Sequence, residues 1–356
     1  MPASTATCVE TTANCPRETR HPSKRIDSAD LLKGFAVLFM IQIHIVEVFT
    51  NPSTLDQNLK QTLYFLGGPT VAPTLMLLMG FFALNSRRTR LSLFIRGMKL
   101  FCLGLILNIG LNLNLLIQIY SGNISLNPLE YLLGVDILLL SGLSLMIIAA
   151  LRQLLGDKPE RWILASLIVV ATSPLVADAF STQSAWSWLT SFVATPTAWS
   201  YFPLFPWLAY PLIGAATGLI HQKYDFRKLL NVRVLAAGCL TLLITGQFAL
   251  EQTTSLPTYY HHGLALYLWN LMFIGTWALL WNLTNANHRF FREIAWFGKH
   301  VTACYVVQWL VIGNIGTAIY QSETVLHSAT WFITVVMLTR WLVMAWNRFI
   351  VSFGTQ

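Results

Sequence analysis

Apolar runs of about 20 residues recur along the chain, near 31–49, 62–84, 93–117, 131–151, 162–178, 200–220, 232–250, 263–284, 300–320 and 328–347, parted by short polar connections. At a rise of about 1.5 Å per residue, a helix needs roughly 20 residues to cross a hydrocarbon core about 30 Å thick. The pattern predicts an all-α polytopic membrane protein of about 10 transmembrane helices. No repeat period, low-complexity tract or soluble stretch interrupts it, so residues 31–350 are expected to form a single transmembrane domain. Residues 1–30 are rich in Thr, Ser, Arg and Lys and hold no apolar h-region, which predicts a flexible cytoplasmic tail rather than a signal peptide.

Charge orients the series. Arg17, Arg20, Lys24 and Arg25 precede the first span, Arg87, Arg88 and Arg90 follow the second, and Arg152, Lys158 and Arg161 follow the fourth. Lys223, Arg227, Lys228 and Arg233 follow the sixth and Arg289, Arg292 and Lys299 the eighth, whereas the alternate loops hold only Lys60. Under the positive-inside rule both termini are expected in the cytoplasm. Composition agrees: 55% of residues are hydrophobic and 11% charged, against about 25% charged in soluble domains. The net charge of +8 does not point to nucleic acid, because the basic residues lie in loops between apolar spans rather than along one soluble face. The five cysteines form no paired or metal-binding pattern, so no metal is expected.

Polar residues inside a bilayer are costly and mark function or a buried partner. His44 lies about 20 Å along the first span, toward its outer end, and Glu47 follows three residues later on the same helical face. Asp136 near the start of the fourth span reaches a similar depth, as do Asn108 and Asn112 in the third, with His261 and His262 at the outer end of the eighth. These residues predict a polar chamber in the outer half. On the cytoplasmic side, Lys33, Arg96 and Lys99 stand just inside their spans, near Arg87 and Arg90. They fit either snorkelling to lipid phosphates or a clamp for the phosphates of a nucleotide-bearing donor. Asn108 and Asn112 likewise fit either helix-to-helix glue or hydrogen-bond donors to an oxyanion. The outer loop 179–199, with Trp186, Trp188 and Trp199, suits an aromatic belt or a segment beside a substrate entrance.

The stretch RIDSADLLKGFAVLFMIQIH, residues 25–44, resembles the first helix of bacterial relatives of heparan-α-glucosaminide N-acetyltransferase, through Arg25, Asp30, Lys33-Gly34 and His44. Lys33 and His44 also match the spacing of the first-helix motif in the wider group of membrane O-acyltransferases. Residues 67–81, 87–108, 135–145, 202–218 and 296–310 are similar, in order, to later pieces of the family. The chain departs from it in having Lys33 where Arg is commoner, and in lacking the lumenal extension that carries a proposed catalytic His in the animal enzyme.

The resemblance implies a multi-pass protein of the inner (plasma) membrane that moves an acyl group, acetyl foremost, from cytoplasmic acyl-CoA to a glycan or small hydroxyl or amine acceptor at the outer face. Lys33, Arg87, Arg90, Arg96 and Lys99 are then candidates to hold the CoA phosphates. His44 would be general base or acyl carrier, oriented by Glu47 or Asp136, with Asn108, Asn112, His261 and His262 toward the acceptor. A proton-coupled transporter using His44, Glu47 and Asp136 as a relay is the alternative.

Overall fold

The computed structural model describes residues 27–86, 88–180, 186–224, 231–283 and 288–354; of the expected tail, residues 1–26 lie outside the described residues. The described chain is helical, with only two isolated β-bridges. In order the helices are α1 (Asp27–Val48), α2 (Gln57–Gly67), α3 (Ala72–Asn85), α4 (Arg90–Leu111), α5 (Leu113–Tyr120), α6 (Pro128–Leu132), α7 (Ile137–Leu155), α8 (Pro159–Ala179) and α9 (Ser187–Thr190). They continue as α10 (Leu204–Trp207), α11 (Ala209–Lys223), α12 (Val232–Thr254), α13 (Leu256–Tyr260), α14 (Leu264–Leu283), α15 (Arg289–Lys299), α16 (Val301–Ile319) and α17 (Val325–Gly354). Among the described residues, 10 helical segments are long and apolar enough to cross a membrane, with α2 and α3 forming one of them and α10 and α11 another.

Two boundaries differ from the hydropathy reading, and both matter to the site. The third span ends at Leu111, because Asn112 leaves helical geometry and α5 begins as a separate helix. The fourth begins at Ile137 rather than near 131. Val135 instead pairs with the outer loop, its N–H donating to the Trp199 carbonyl at 2.7 Å and its carbonyl accepting from the Phe202 N–H at 3.0 Å. That bridge draws residues 133–135 out of the helix and makes Asp136 the N-cap of α7.

Small residues set how closely the spans approach, since lipid offers no hydrophobic drive for helix pairing and van der Waals fit must supply it. Between α4 and α7, a Cβ placed on Gly142 would stand 2.6 Å from the Phe101 nitrogen and 2.7 Å from the Gly97 carbonyl oxygen. Gly80 and Gly214 play the same part where α3 meets α11. By contrast α12 exposes Val232, Val234, Leu240, Leu243 and Ile244, a face suited to lipid.

The end of α1 is pinned to the turn between α16 and α17. Gln321 and Glu323 donate their backbone N–H groups to the Val48 and Phe49 carbonyls, both at 2.9 Å, and Thr50 donates its hydroxyl to Ser328 at 2.7 Å. This fixes the register of α1 against α16, where the candidate site lies. Gly142→Ala is expected to destabilise the fold by about 1–3 kcal/mol through overpacking against backbone. Gly246→Ala, where a Cβ meets open space, is expected to be neutral or stabilising by up to about 1 kcal/mol. Thermal unfolding in detergent, monitored for both variants, checks the contrast.

Candidate active site

His44 sits one turn before the end of α1 and is half-buried. Its Nδ1 lies 3.1 Å from the side-chain carbonyl oxygen of Gln308, and its ring stacks on Trp309 with centroids 4.0 Å apart. Because an amide oxygen only accepts, Nδ1 carries a proton, and in the neutral imidazole Nε2 keeps its lone pair. No group among the described residues bonds Nε2. A neutral imidazole with one nitrogen anchored and the other open is arranged to take a proton or to attack a carbonyl.

Asp136 is held at the start of α7 by two bonds. Its carboxylate accepts from the Ile137 N–H at 2.6 Å through one oxygen and from the Tyr305 hydroxyl through the other. Tyr305, Gln308 and Trp309 stand three and four residues apart, so they share one face of α16, and that face positions both His44 and Asp136. The sequence reading did not single out these three residues. A glutamine inside an apolar span was the available signal.

Glu47 is half-buried within electrostatic range of Asp136 and of Tyr64, Tyr201 and Tyr260. Burial, followed by the Asp136 and Glu47 carboxylates, pushes the Tyr201 phenol up to about 12, so it remains a neutral hydroxyl near physiological pH. The polar region around the carboxylates is therefore ringed by tyrosines. Neither Glu47 nor Asp136, the expected orienting groups, is hydrogen-bonded to the imidazole among the described residues; the acceptor facing Nδ1 is Gln308.

Of the two roles open to the asparagines, their hydrogen bonds match the one that joins segments. Asn108 donates its Nδ2 hydrogens to the Leu132 and Gly134 carbonyls at 3.1 and 2.9 Å, and Asn112 donates to the Asn108 and Tyr131 carbonyls at 2.9 and 3.2 Å. A primary amide has two N–H donors, and both are spent in each case. These residues hold the segment that delivers Asp136.

His262 is likewise fully engaged, being 2% exposed. Asn270 donates to the Tyr210 hydroxyl, which donates to His262 Nε2, while His262 Nδ1 donates to the Tyr259 carbonyl, each at 2.8 Å. Burial holds its imidazole down to about 4, against a smaller opposing effect of the Tyr259 bond. His262 is thus a neutral structural link between α11, α13 and α14 rather than an acceptor ligand. Its neighbour His261 is half-buried, and burial lowers its pKa as well. In the outer loop, Trp188 stacks on Trp199 at 4.4 Å and Trp186 is exposed, while residues 181–185 lie outside the described residues.

The basic residues divide. Lys33 pairs with Asp30 at 2.9 Å and lies over the Phe82 ring, so its partner is within its own helix. Arg96 and Lys99 are exposed on the same stretch of α4 as Leu91, Phe94, Ile95 and Met98, the setting in which basic side chains snorkel. Arg90 donates to the Gln153 side chain at 2.6 Å and lines an open cleft of about 570 Å³ with Arg88, Thr89, Arg152, Gln153 and Asp157. Arg87 lies outside the described residues. Among those residues, no group of His, Cys, Asp and Glu is arranged to hold a metal ion.

Among the described residues the protein is a helical bundle of membrane-spanning length, with an anchored histidine at one end of α1 and an arginine-lined cleft at the start of α4 and the end of α7. The family model described as heparan-alpha-glucosaminide N-acetyltransferase, catalytic, matches residues 25–264, and the protein belongs to that family of membrane acetyltransferases. No curated protein and no solved structure matches the chain. The matched region contains His44, Glu47 and Asp136 but ends before Tyr305, Gln308 and Trp309.

Asn108→Ala is expected to lower stability by about 2 kcal/mol, because it leaves two buried carbonyls unpaired. An oxyanion donor would instead lower turnover at unchanged stability. Thermal unfolding and turnover measured on the same preparation separate the two.

Proposed function

We propose that the protein is a membrane-bound acyltransferase that carries an acetyl group from acyl-CoA on its basic face to a sugar or other hydroxyl or amine acceptor on the opposite face. The observation that carries this reading is the geometry of His44, whose Nδ1 is tied to Gln308 while Nε2 has no partner among the described residues. The clustering of basic residues at alternate helix ends supports a cytoplasmic placement of that face and of both termini, in an inner (plasma) membrane.

In this mechanism His44 Nε2 takes the proton from the acceptor O–H or N–H as the acceptor atom forms a bond to the thioester carbon. The tetrahedral intermediate then collapses, the carbon–sulfur bond breaks, and the imidazolium returns its proton to the departing thiolate. Tyrosine hydroxyls around the carboxylates supply donors for the acceptor or the developing oxyanion. Arg88, Arg90 and Arg152 supply planar, permanently charged donors for the phosphates of CoA. Lys33, Arg96 and Lys99 remain candidates for that role only if they exchange the surroundings they have here. Sixteen residues separate Asp136 from Arg152 on one helix, a rise of about 24 Å. A donor bound at the cleft must span a gap of that order, which suits a ligand with a long flexible arm.

The test uses purified full-length protein in liposomes with radiolabelled acetyl-CoA and glucosamine as acceptor. His44→Ala is expected to lower label transfer by about 100-fold or more. In the same assay Arg90→Ala combined with Arg152→Ala is expected to raise KM for acetyl-CoA about tenfold with kcat retained. Full turnover in His44→Ala removes the assigned base. Proton-coupled uptake of substrate without any CoA dependence replaces the enzyme by a transporter.

A further inference from the structure

Gln308 is completely buried within α16, and both ends of its amide are committed. The Nε2 group donates to the Tyr305 carbonyl at 3.3 Å, and the Oε1 atom faces His44 Nδ1 at 3.1 Å. Turning the amide over would set its oxygen against the Tyr305 carbonyl and its NH2 group against Nδ1, losing one bond and forcing the imidazole proton onto Nε2. The two bonds therefore determine one amide orientation and, through it, one histidine tautomer. Trp309, stacked on the imidazole at an interplanar angle of 30°, limits rotation of the ring about the same axis.

We infer that Gln308 is the positioning residue that holds His44 in the Nδ1–H tautomer, presenting the Nε2 lone pair to the reacting groups. This rests on the assignment of His44 as the base. A neutral acceptor suits the site, because a carboxylate there would add a charge to be desolvated within the spans. It also leaves no fixed negative partner to retain the proton on the imidazole once the thiolate leaves. Gln308 lies beyond the residues matched by the family model.

The experiment reads the tautomer directly. Protein in liposomes, labelled with 15N-histidine, is compared with His44→Asn to assign the His44 signals among the eight histidines. In the parent protein at neutral pH, the expected His44 signature is a protonated Nδ1 and an unprotonated Nε2. Gln308→Glu keeps an acceptor and is expected to keep that signature, with kcat within about tenfold of the parent. Gln308→Met, similar in length but without an acceptor, is expected to lose it, lowering kcat about 100-fold with KM for acetyl-CoA little changed. An Nε2–H signature in the parent protein overturns the inference even if the methionine variant fails to fold. So does a Gln308→Met protein with parental signature and kcat. The tautomer is measured without turnover, so full activity in His44→Ala would overturn the proposed base while the Gln308 result still stands or falls alone.

Discussion

The hydrocarbon core of a membrane holds no water, so a polar group inside the bundle finds its partner within the chain or leaves a large cost unmet. That constraint sorts the polar residues of this protein. Asn108, Asn112, His262 and Tyr210 spend their hydrogen bonds on backbone or on neighbouring side chains and tie helices and loops together. His44 differs in keeping one ring nitrogen open after its other bond is made. That contrast, more than the mere presence of a histidine in an apolar span, is what supports the proposed role for it.

A single turn of α16 carries much of the arrangement. Tyr305 reaches Asp136 on α7, Gln308 and Trp309 reach His44 on α1, and the turn after α16 ties down the end of α1. Movement of α16 would displace the histidine and the carboxylate together. The second carboxylate, Glu47, is linked to this group through the field of Asp136 and the surrounding tyrosines rather than through a hydrogen bond to His44. Meanwhile the α4 and α7 backbones touch around Gly97 and Gly142. Their seam is closed between the arginine cleft and Asp136.

Much of this was legible in the chain. Run length and charge alternation lead to 10 spans because the thickness of the bilayer and the cost of burying charge act on every segment independently of its neighbours. The positions of His44 and Glu47 toward one end of the first span were readable for the same reason, as residue count along a helix converts directly to rise. The boundaries at Asn112 and Ile137 were not, since the break follows from pairing of Val135 with a loop more than 60 residues away. Hydropathy cannot register such a partner.

The sequence by itself determined the class of fold, the family and the identity of the polar residues placed in the membrane. Tertiary structure alone decided which of them have spare hydrogen-bonding capacity. Asn108 and His262 look as reactive in the sequence as His44, and Lys33 looks as free to bind a phosphate as Arg90. For Asn108 and His44 the difference lies in partners 24 and 264 residues distant, Leu132 and Gln308, for Lys33 in an ion pair with Asp30 one turn away, and in each case in whether an atom's lone pairs and protons are already used. Hydrogen-bond valence is a property of three-dimensional neighbours, so only the folded bundle separates anchored residues such as Asn108 and His262 from His44, which keeps a ring nitrogen open.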